Sequence, residues 1–460
     1  MKLYQSKIFA LFFTLVSLSF YGCAPPPQGS TNTGANTNTN PVNTTVATNT
    51  NAAKPAENNE SALAMPVTLP VLDAMFSDEQ FAAELKTKLQ LSDEQIQKLK
   101  QVSGEAIRNL NDDETDNYSG STRAETERAG REIRQLLGEE KANSFFELVR
   151  GRWEGGEAGT TSAAAKPNSL PTDSRIVVNA PAYRMDVFQE GKLVKSYKIG
   201  IGYPEFPLPK GVRKANSIIF NPTWTPPDEP WVKGKVKPGE KVEAGSKLNP
   251  LGPIKIPIGL PSLIHGGKSP ARLGNFASHG CVGLTNSQVK DFALELAKLS
   301  GTELTAQEVA GYEKQKTETK DVKLKSPIQV ELRYETIVVE NGVLKIYRDV
   351  YERGTNTEEN LRRVLDAHGV SLDSLPDREN ILNGLRQMAF DAQGNSVDGN
   401  TASNSGNMNS NSSASNNKNK NSNANSGAVT KNVKGKKEVA FQIAELKGKG
   451  YPAPVNLVSQ

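Results

Sequence analysis

The sequence predicts a mainly β body, with a small helical module before it and Asn-rich segments that do not pack. Three observations carry this. Between residues 67 and 154, apolar side chains recur at helical spacing behind Ser-x-x-Gln boxes. From residue 172 the pattern changes to strand-like runs broken by Gly and Pro. Residues 28–60 are mostly Asn, Thr, Ala and Pro, and residues 394–435 mostly Asn, Ser, Gly and Lys. Such compositions bury too little apolar surface to offset the entropy of ordering them.

The elements follow in chain order. Lys2 and Lys7 precede the apolar run "IFALFFTLVSLSF", Ile8 to Phe20, which is short for a spanning helix and reads as a signal peptide over residues 1–22. Gly22-Cys23 directly after that run resembles a bacterial lipoprotein signal, with cleavage before Cys23 and lipid on its thiol. Phe20 departs from the Leu usual there. Residues 23–66 then form a disordered tether. A flexible chain of that length spans roughly 35 Å and extends to about 130–140 Å.

The helical module covers residues 67–154. "SDEQ" occurs at Ser77–Gln80 and again at Ser92–Gln95, each in the form of a capping box with Ser at the N-cap. Behind the second box, Ile96, Leu99, Val102, Ala106, Ile107 and Leu110 share a face. A further helical stretch carries Ile133, Leu136, Leu137, Phe145, Phe146 and Val149. No catalytic constellation lies here, so the module is expected to pack on the body or bind a partner. Residues 155–171 are a linker by composition.

The β body spans residues 172–355. "RIVVNAPAYRMDVFQEGKLVKSYKIGIG" reads as three strands, the last two joined at Glu190-Gly191. After Cys281, Thr285 or Asn286 caps a helix with the stripe Val289, Phe292, Ala293, Leu296 and Leu299, which ends at Gly301. Asn341-Gly342 marks a hairpin. A helical extension covers residues 356–392, and His368 sits at a helix C-terminus, where a cation is favourable. A disordered Asn/Ser-rich linker, 393–436, leads to a tail, 437–460, with no role legible beyond a docking segment.

The chain has 460 residues and a net charge of only +4, so it carries no concentrated basic face for nucleic acid. It has 3 histidines and 2 cysteines. An exported chain would normally pair its two cysteines. With lipid on Cys23, Cys281 has no intramolecular partner, which points to use rather than storage.

"IHGGKSPARLGNFASHGCVGLTN", Ile264 to Asn286, gathers His265, His279 and Cys281 in one Gly-rich stretch. A thiol attacks as thiolate, and an imidazole beside it can take the proton. Either His265 or His279 can serve. Gly280 lets the chain turn sharply, so that backbone N–H groups face a reacting carbonyl as an oxyanion hole. Nucleophile, base and oxyanion donors together point to acyl transfer. A zinc site at the same three residues is the competing reading, but no CxxC or HExxH spacing supports it. No metal and no cofactor is expected.

His265-Gly266, a spacer, then Ser278-His279-Gly280-Cys281 resemble the signature of the L,D-transpeptidase catalytic domain family (YkuD-like). "VVNAPAYRMDVFQEGKLVKSYKIGIG", "NPTWTPP" and "NPLG" are similar to the family's preceding stretches, so the likeness covers roughly residues 172–350. It implies a β-sandwich catalytic domain with the cysteine in a cleft, acting on peptidoglycan stem tetrapeptides. By the same likeness Cys281 is the nucleophile and His265 the base, with the Gly266 carbonyl orienting its ring. The amides of His279, Gly280 and Cys281 are the oxyanion donors, and Ser278 and Trp224 are substrate-binding candidates.

The acceptor is a second stem peptide, giving a 3-3 cross-link, or a lysine of an envelope protein. Water as acceptor would give an L,D-carboxypeptidase, and a silenced site would leave a wall-binding lipoprotein. Two positions depart from the family. Gly283 stands where it usually has Arg, and Gly267 where it often has Thr. Arg272, in the same loop, is the candidate replacement for the missing guanidinium. The expected location is the periplasmic face of the envelope, held by the N-terminal lipid. Ala24, in place of Asp, leans towards the outer membrane.

Overall fold

The computed structural model describes residues 64–76, 78–107, 122–154, 166–227, 232, 236–259, 262–397 and 429–457. The signal-like segment, Cys23, most of the tether, Leu110 of the helical module and the centre of the Asn/Ser-rich linker lie outside them. No helix of the described residues is long and apolar enough to cross a membrane.

Five helices form the N-terminal module: α1 (Leu69–Phe76), α2 (Glu79–Leu89), α3 (Asp93–Ile107), α4 (Thr122–Leu137) and α5 (Glu139–Glu154). The α2 cap differs from expectation. Asp78 holds the N-cap, its Oδ1 accepting from Gln80 N at 2.9 Å. A carboxylate at that place also complements the helix dipole. At α3 the capping box forms as read, with Gln95 N donating to Ser92 Oγ at 3.2 Å and Ser92 N to Gln95 Oε1 at 3.0 Å. The next helical stretch is two helices, because Gly138 at φ 80° breaks the chain between α4 and α5. Leu72, Phe81, Leu85, Leu99, Ile133, Phe145 and Val149 are fully buried among them. Each such side chain contributes roughly 1.5–3 kcal/mol.

The module is docked on the body at three places. Glu352 accepts from Thr122 N, Thr122 Oγ1 and Arg123 N at the start of α4, at 3.3, 3.0 and 3.1 Å. Arg213 donates to Trp153 O at the end of α5. Thr68 Oγ1 donates to Glu205 O at 2.7 Å, just before α1.

Ten strands build the body: β1 (Arg175–Asn179), β2 (Arg184–Gln189), β3 (Lys192–Lys198), β4 (Ile201–Gly202), β5 (Gly211–Phe220), β6 (Ile254–Pro257), β7 (Leu263–His265), β8 (Phe276–Ser278), β9 (Val282–Gly283) and β10 (Lys320–Arg333). Eight of them form one sheet in the order β3-β2-β1-β10-β5-β6-β7-β9, while β4 and β8 form a separate parallel pair. The β2–β3 turn falls at Glu190 and Gly191, both at positive φ, as the two-residue turn requires.

Between β9 and β10 come α6 (Asn286–Ser300) and α7 (Ala306–Lys314). Thr285 caps α6 with a complete capping box to Gln288, and Gly301 ends it. The buried face of α6, Val289, Phe292, Ala293 and Leu296, packs on β6 and β10.

The expected boundary at residue 355 cuts through a second structure. β11 (Ile337–Glu340), β12 (Val343–Tyr347) and β13 (Glu438–Gln442) form their own sheet, with α8 (Glu358–Ala367) and α9 (Arg378–Met388). Val339, Leu344, Ile346, Leu361, Leu365 and Ile381 make its core. The tail is therefore structural. β13 pairs with β12, Tyr451 packs edge-on to Phe188, and Ser196 N donates to Val455 O at 2.8 Å beside the edge strand β3. Covering an edge in this way blocks pairing with other chains.

Both linkers also pack at their described ends. Asn168 is buried and bonds Ile337 O and Val339 N, while Thr430 Oγ1 donates to Glu205.

Candidate active site

The strand order brings the scarce residues together. β7 and β9 are parallel neighbours, with Ile264 opposite Val282 and His265 opposite Gly283. Cys281, one residue before β9, therefore lies beside Leu263. The turn that presents it needs Gly280, which sits at φ 94°. Ser262 Oγ donates to Gly280 O at 2.9 Å and fixes this turn from the β7 side.

Ser278 closes the turn from within. Its Oγ donates to Cys281 O at 2.5 Å and accepts from Cys281 N at 3.0 Å. Two expectations change as a result. Ser278 spends its hydroxyl on the chain rather than presenting it to a ligand. The Cys281 amide, expected as an oxyanion donor, donates to Ser278 Oγ in this structure.

His265 is buried at the end of β7, with Nδ1 2.7 Å from Gly266 O. A carbonyl only accepts, so Nδ1 carries the proton there. Gly266 has no room for a side chain, since a Cβ would lie 2.8 Å from Val289 Cγ1. Burial and, after it, the nearby Lys268 charge push His265 down to about 3, against the opposing pull of the Gly266 and Leu251 carbonyls. Burial pushes the Cys281 thiol up, opposed by a backbone hydrogen bond from Leu263 and by Lys268. Both shifts favour the neutral forms.

His279 is placed differently. Its ring meets those of Tyr203 and Phe206 edge-on, with centroids 5.0 and 4.8 Å away. These aromatics belong to the loop whose Glu205 carbonyl takes the Thr68 hydroxyl. The residues alone left His265 and His279 both open as the base, and the family likeness favoured His265; in the structure His265 is the one whose Nδ1 is held by the Gly266 carbonyl.

His265, Ser278, His279, Cys281 and Trp224 all line one cavity of about 590 Å³. Arg272 does not line it. This side chain sits partly exposed on the 3-10 turn Pro270–Arg272. Lys268 lines the cavity instead, and sequence reasoning passed it over. The available signal was its position three residues after His265. Ala74 of α1 also forms part of the wall, a contribution no local pattern could announce. Among the described residues, no group of three or more His, Cys, Asp or Glu side chains could hold a metal ion.

Residues 173–304 match the YkuD family, described as the L,D-transpeptidase catalytic domain. The match stops before β10, a strand in the middle of the main sheet. No curated protein matches the chain. Among solved structures, it is similar to the Ldtfm–avibactam carbamoyl enzyme at 18% identity, covering 35% of this chain and 49% of that one, with a TM-score of 0.23. It is similar to the catalytic domain of the Enterococcus faecium L,D-transpeptidase at 17% identity, covering 36% of this chain and 100% of that one, with a TM-score of 0.22. It is also similar to an L,D-transpeptidase from Mycobacterium smegmatis at 16% identity, covering 35% and 58%, with a TM-score of 0.20. The chain thus spans about half the length of the first of these.

Proposed function

We propose that this chain is a cysteine acyltransferase of the peptidoglycan, an L,D-transpeptidase in which Cys281 is the nucleophile and His265 the base. One observation carries the reading. Within the segment that matches the catalytic domain, Cys281 and a His265 ring anchored at Nδ1 face the same cavity.

The steps balance as follows. Cys281 Sγ attacks the carbonyl between the diamino acid and the terminal D-Ala of a stem tetrapeptide, and His265 takes the thiol proton. The His279 and Gly280 amides receive the oxyanion. The C–N bond breaks, the proton passes to the leaving D-Ala amine, and a thioester remains. The side-chain amine of a second stem then attacks the thioester, His265 takes its proton, and the proton returns to the departing Sγ. The product is a 3-3 cross-link. Trp224 offers a ring face for the substrate at the cavity wall. Lipid on Cys23 would hold the enzyme at the periplasmic face of the envelope, the outer membrane favoured.

The test is mass spectrometry of a disaccharide-tetrapeptide incubated with the chain, beside Cys281→Ala. Loss of D-Ala only with Cys281 present supports acyl transfer, and the product names the acceptor: dimer for a transpeptidase, tripeptide for a carboxypeptidase. A conjugate on a lysine of an added envelope protein would mark wall attachment. No reaction, with no carbapenem adduct on Cys281, would sink the enzyme reading and leave a wall-binding lipoprotein.

A further inference from the structure

We propose that Thr430 and Lys437 are positioning residues for acyl transfer, the two ends of a C-terminal strap that holds the strands on either side of the Cys281 turn. The inference rests on the acyl-transfer reading above and adds to it a part of the chain outside the matched catalytic segment.

The turn leans on a slight pair of strands. β4 and β8 have two and three residues and form a sheet of their own, which Gly200 and Gly283 bridge to the main one. So short a two-stranded pair is marginal without further support. Yet it sets the turn. Ser278 ends β8, and a Cβ built on Gly202 of β4 would lie 3.2 Å from both N and Cα of Gly280. Tyr203 N donates to Ser278 O at 2.9 Å, and Ile201 N to Asn275 O at 3.1 Å. A shift of either strand therefore reaches Gly280 and Cys281.

The strap grips this pair at two places. At the first, Thr430 N lies 3.2 Å from each Glu205 carboxylate oxygen, and Thr430 Oγ1 donates to Glu205 Oε1 at 2.7 Å. Glu205 stands three residues after β4, in the loop whose Tyr203 and Phe206 rings meet His279. Both Glu205 and Thr430 are buried, so loss of a partner here is costly. At the second, Lys437 Nζ donates to Gly274 O at 2.6 Å and to Asn275 Oδ1, directly before β8. The same ammonium lies over the Tyr183 ring, 5.4 Å from its centroid.

The backbone of the strap is pinned from behind. Val429 and Val433 join the main core. Lys434 N donates to Ala392 O at 2.8 Å, and Arg348 Nε and Nη2 donate to Lys436 O at 3.1 and 2.9 Å. β13 begins one residue after Lys437 and pairs with β12. The strap is thus anchored in the C-terminal sheet and carries that rigidity to β4 and β8. Neither Thr430 nor Lys437 lines the cavity, so their effect falls on the geometry of attack rather than on substrate contact.

Two readouts test this on the full chain. The first is D-Ala release from a stem tetrapeptide. Thr430→Val removes the hydroxyl and keeps the shape, while Lys437→Met removes the ammonium and keeps the stem. In each, kcat should fall about 10-fold, the low end for a hydrogen bond to a charged group, with KM within about twofold of wild type. Thr430→Ser and Lys437→Arg should keep most of the wild-type kcat. The second, amide hydrogen exchange read by mass spectrometry, needs no substrate. Exchange should rise about 10-fold over residues 200–208 and 275–283 in both variants and stay at the wild-type level in β1 and β10. Asn275→Ala, which removes the acceptor opposite Lys437, repeats both measurements if Lys437→Met does not fold.

An unchanged kcat in both variants overturns the proposal. So does exchange that rises evenly along the chain, which would make the strap a general stabiliser. Should wild type release no D-Ala, the acyl-transfer reading fails, and the exchange pattern alone decides whether the strap holds the turn.

Discussion

The two walls of the cleft are built on opposite principles. The wall from β7 through β9 is held by hydrogen bonds to backbone: Gly266 O on His265, Ser262 on Gly280, Ser278 on Cys281. The facing wall includes Ala74 of α1 and the Tyr203–Phe206 loop, positioned by apolar packing of the helical module and by the Thr68–Glu205 bond. Directional bonds fix reacting atoms to a fraction of an ångström, whereas packing fixes shape. The comparison assigns chemistry to the first wall and access to the second. It can be broken by substitutions that act on one wall only.

The largest effect belongs to the first wall. Cys281→Ala should abolish acylation, removing at least about a thousandfold of activity, since among the described residues no other thiol faces the cavity. The melting temperature should stay near wild type. A carbapenem mass adduct that survives in this variant would place the nucleophile elsewhere.

His265→Gln comes next, with a loss of about 10²–10⁴ in kcat/KM, the usual worth of a general base. It also carries a stability signature. The unfolded imidazole titrates near 6.5, while the folded one is pushed down to about 3. Between those values the unfolded chain binds the extra proton. Stability from this group is therefore full above pH 6.5 and is lost as pH falls towards 3, at up to ~1.4 kcal/mol per pH unit. Urea titrations from pH 7 to 4 should show a steeper fall for wild type than for His265→Gln. Equal slopes would mean that His265 is not buried as a neutral ring.

Gly280→Ala tests the turn itself. At φ 94° a Cβ is strained whatever the space around it, at a cost of about 1–3 kcal/mol. The substitution should displace the thiol and lower kcat more than it lowers stability. A variant with full activity would show that the turn tolerates relaxation.

How much of this was legible follows the same division. Rare side chains in one Gly-rich stretch made the meeting of His265 and Cys281 at one cavity readable, because the stretch that carries them is local. The Thr285 cap and the turns at Glu190-Gly191 and Asn341-Gly342 were readable for the same reason. Lys268 was not, because its place depends on the missing side chain of Gly283, a strand away. Arg272 was the candidate in sequence but does not line the cavity. The tail was not readable either. β13 pairs with β12 across nearly a hundred residues, and no local pattern encodes a partner at that separation. The bond from the Cys281 amide to Ser278 Oγ was not readable, a three-residue contact that motif logic ignores.

The smallest effect sharpens the comparison most. Thr68→Val keeps the shape of the side chain but removes the hydroxyl that donates to Glu205 O at 2.7 Å. One such bond is worth about 0.5–1.5 kcal/mol, so global stability should fall only slightly. If the facing wall governs access, the loosened Tyr203–Phe206 loop should raise KM for the stem peptide a fewfold while kcat and the alkylation rate of Cys281 by iodoacetamide stay within twofold. A fall in kcat with unchanged KM would instead mean that the loop transmits to the reacting atoms through the His279 ring it packs against. The helical module would then be part of the chemistry, and the division between the two walls would fail.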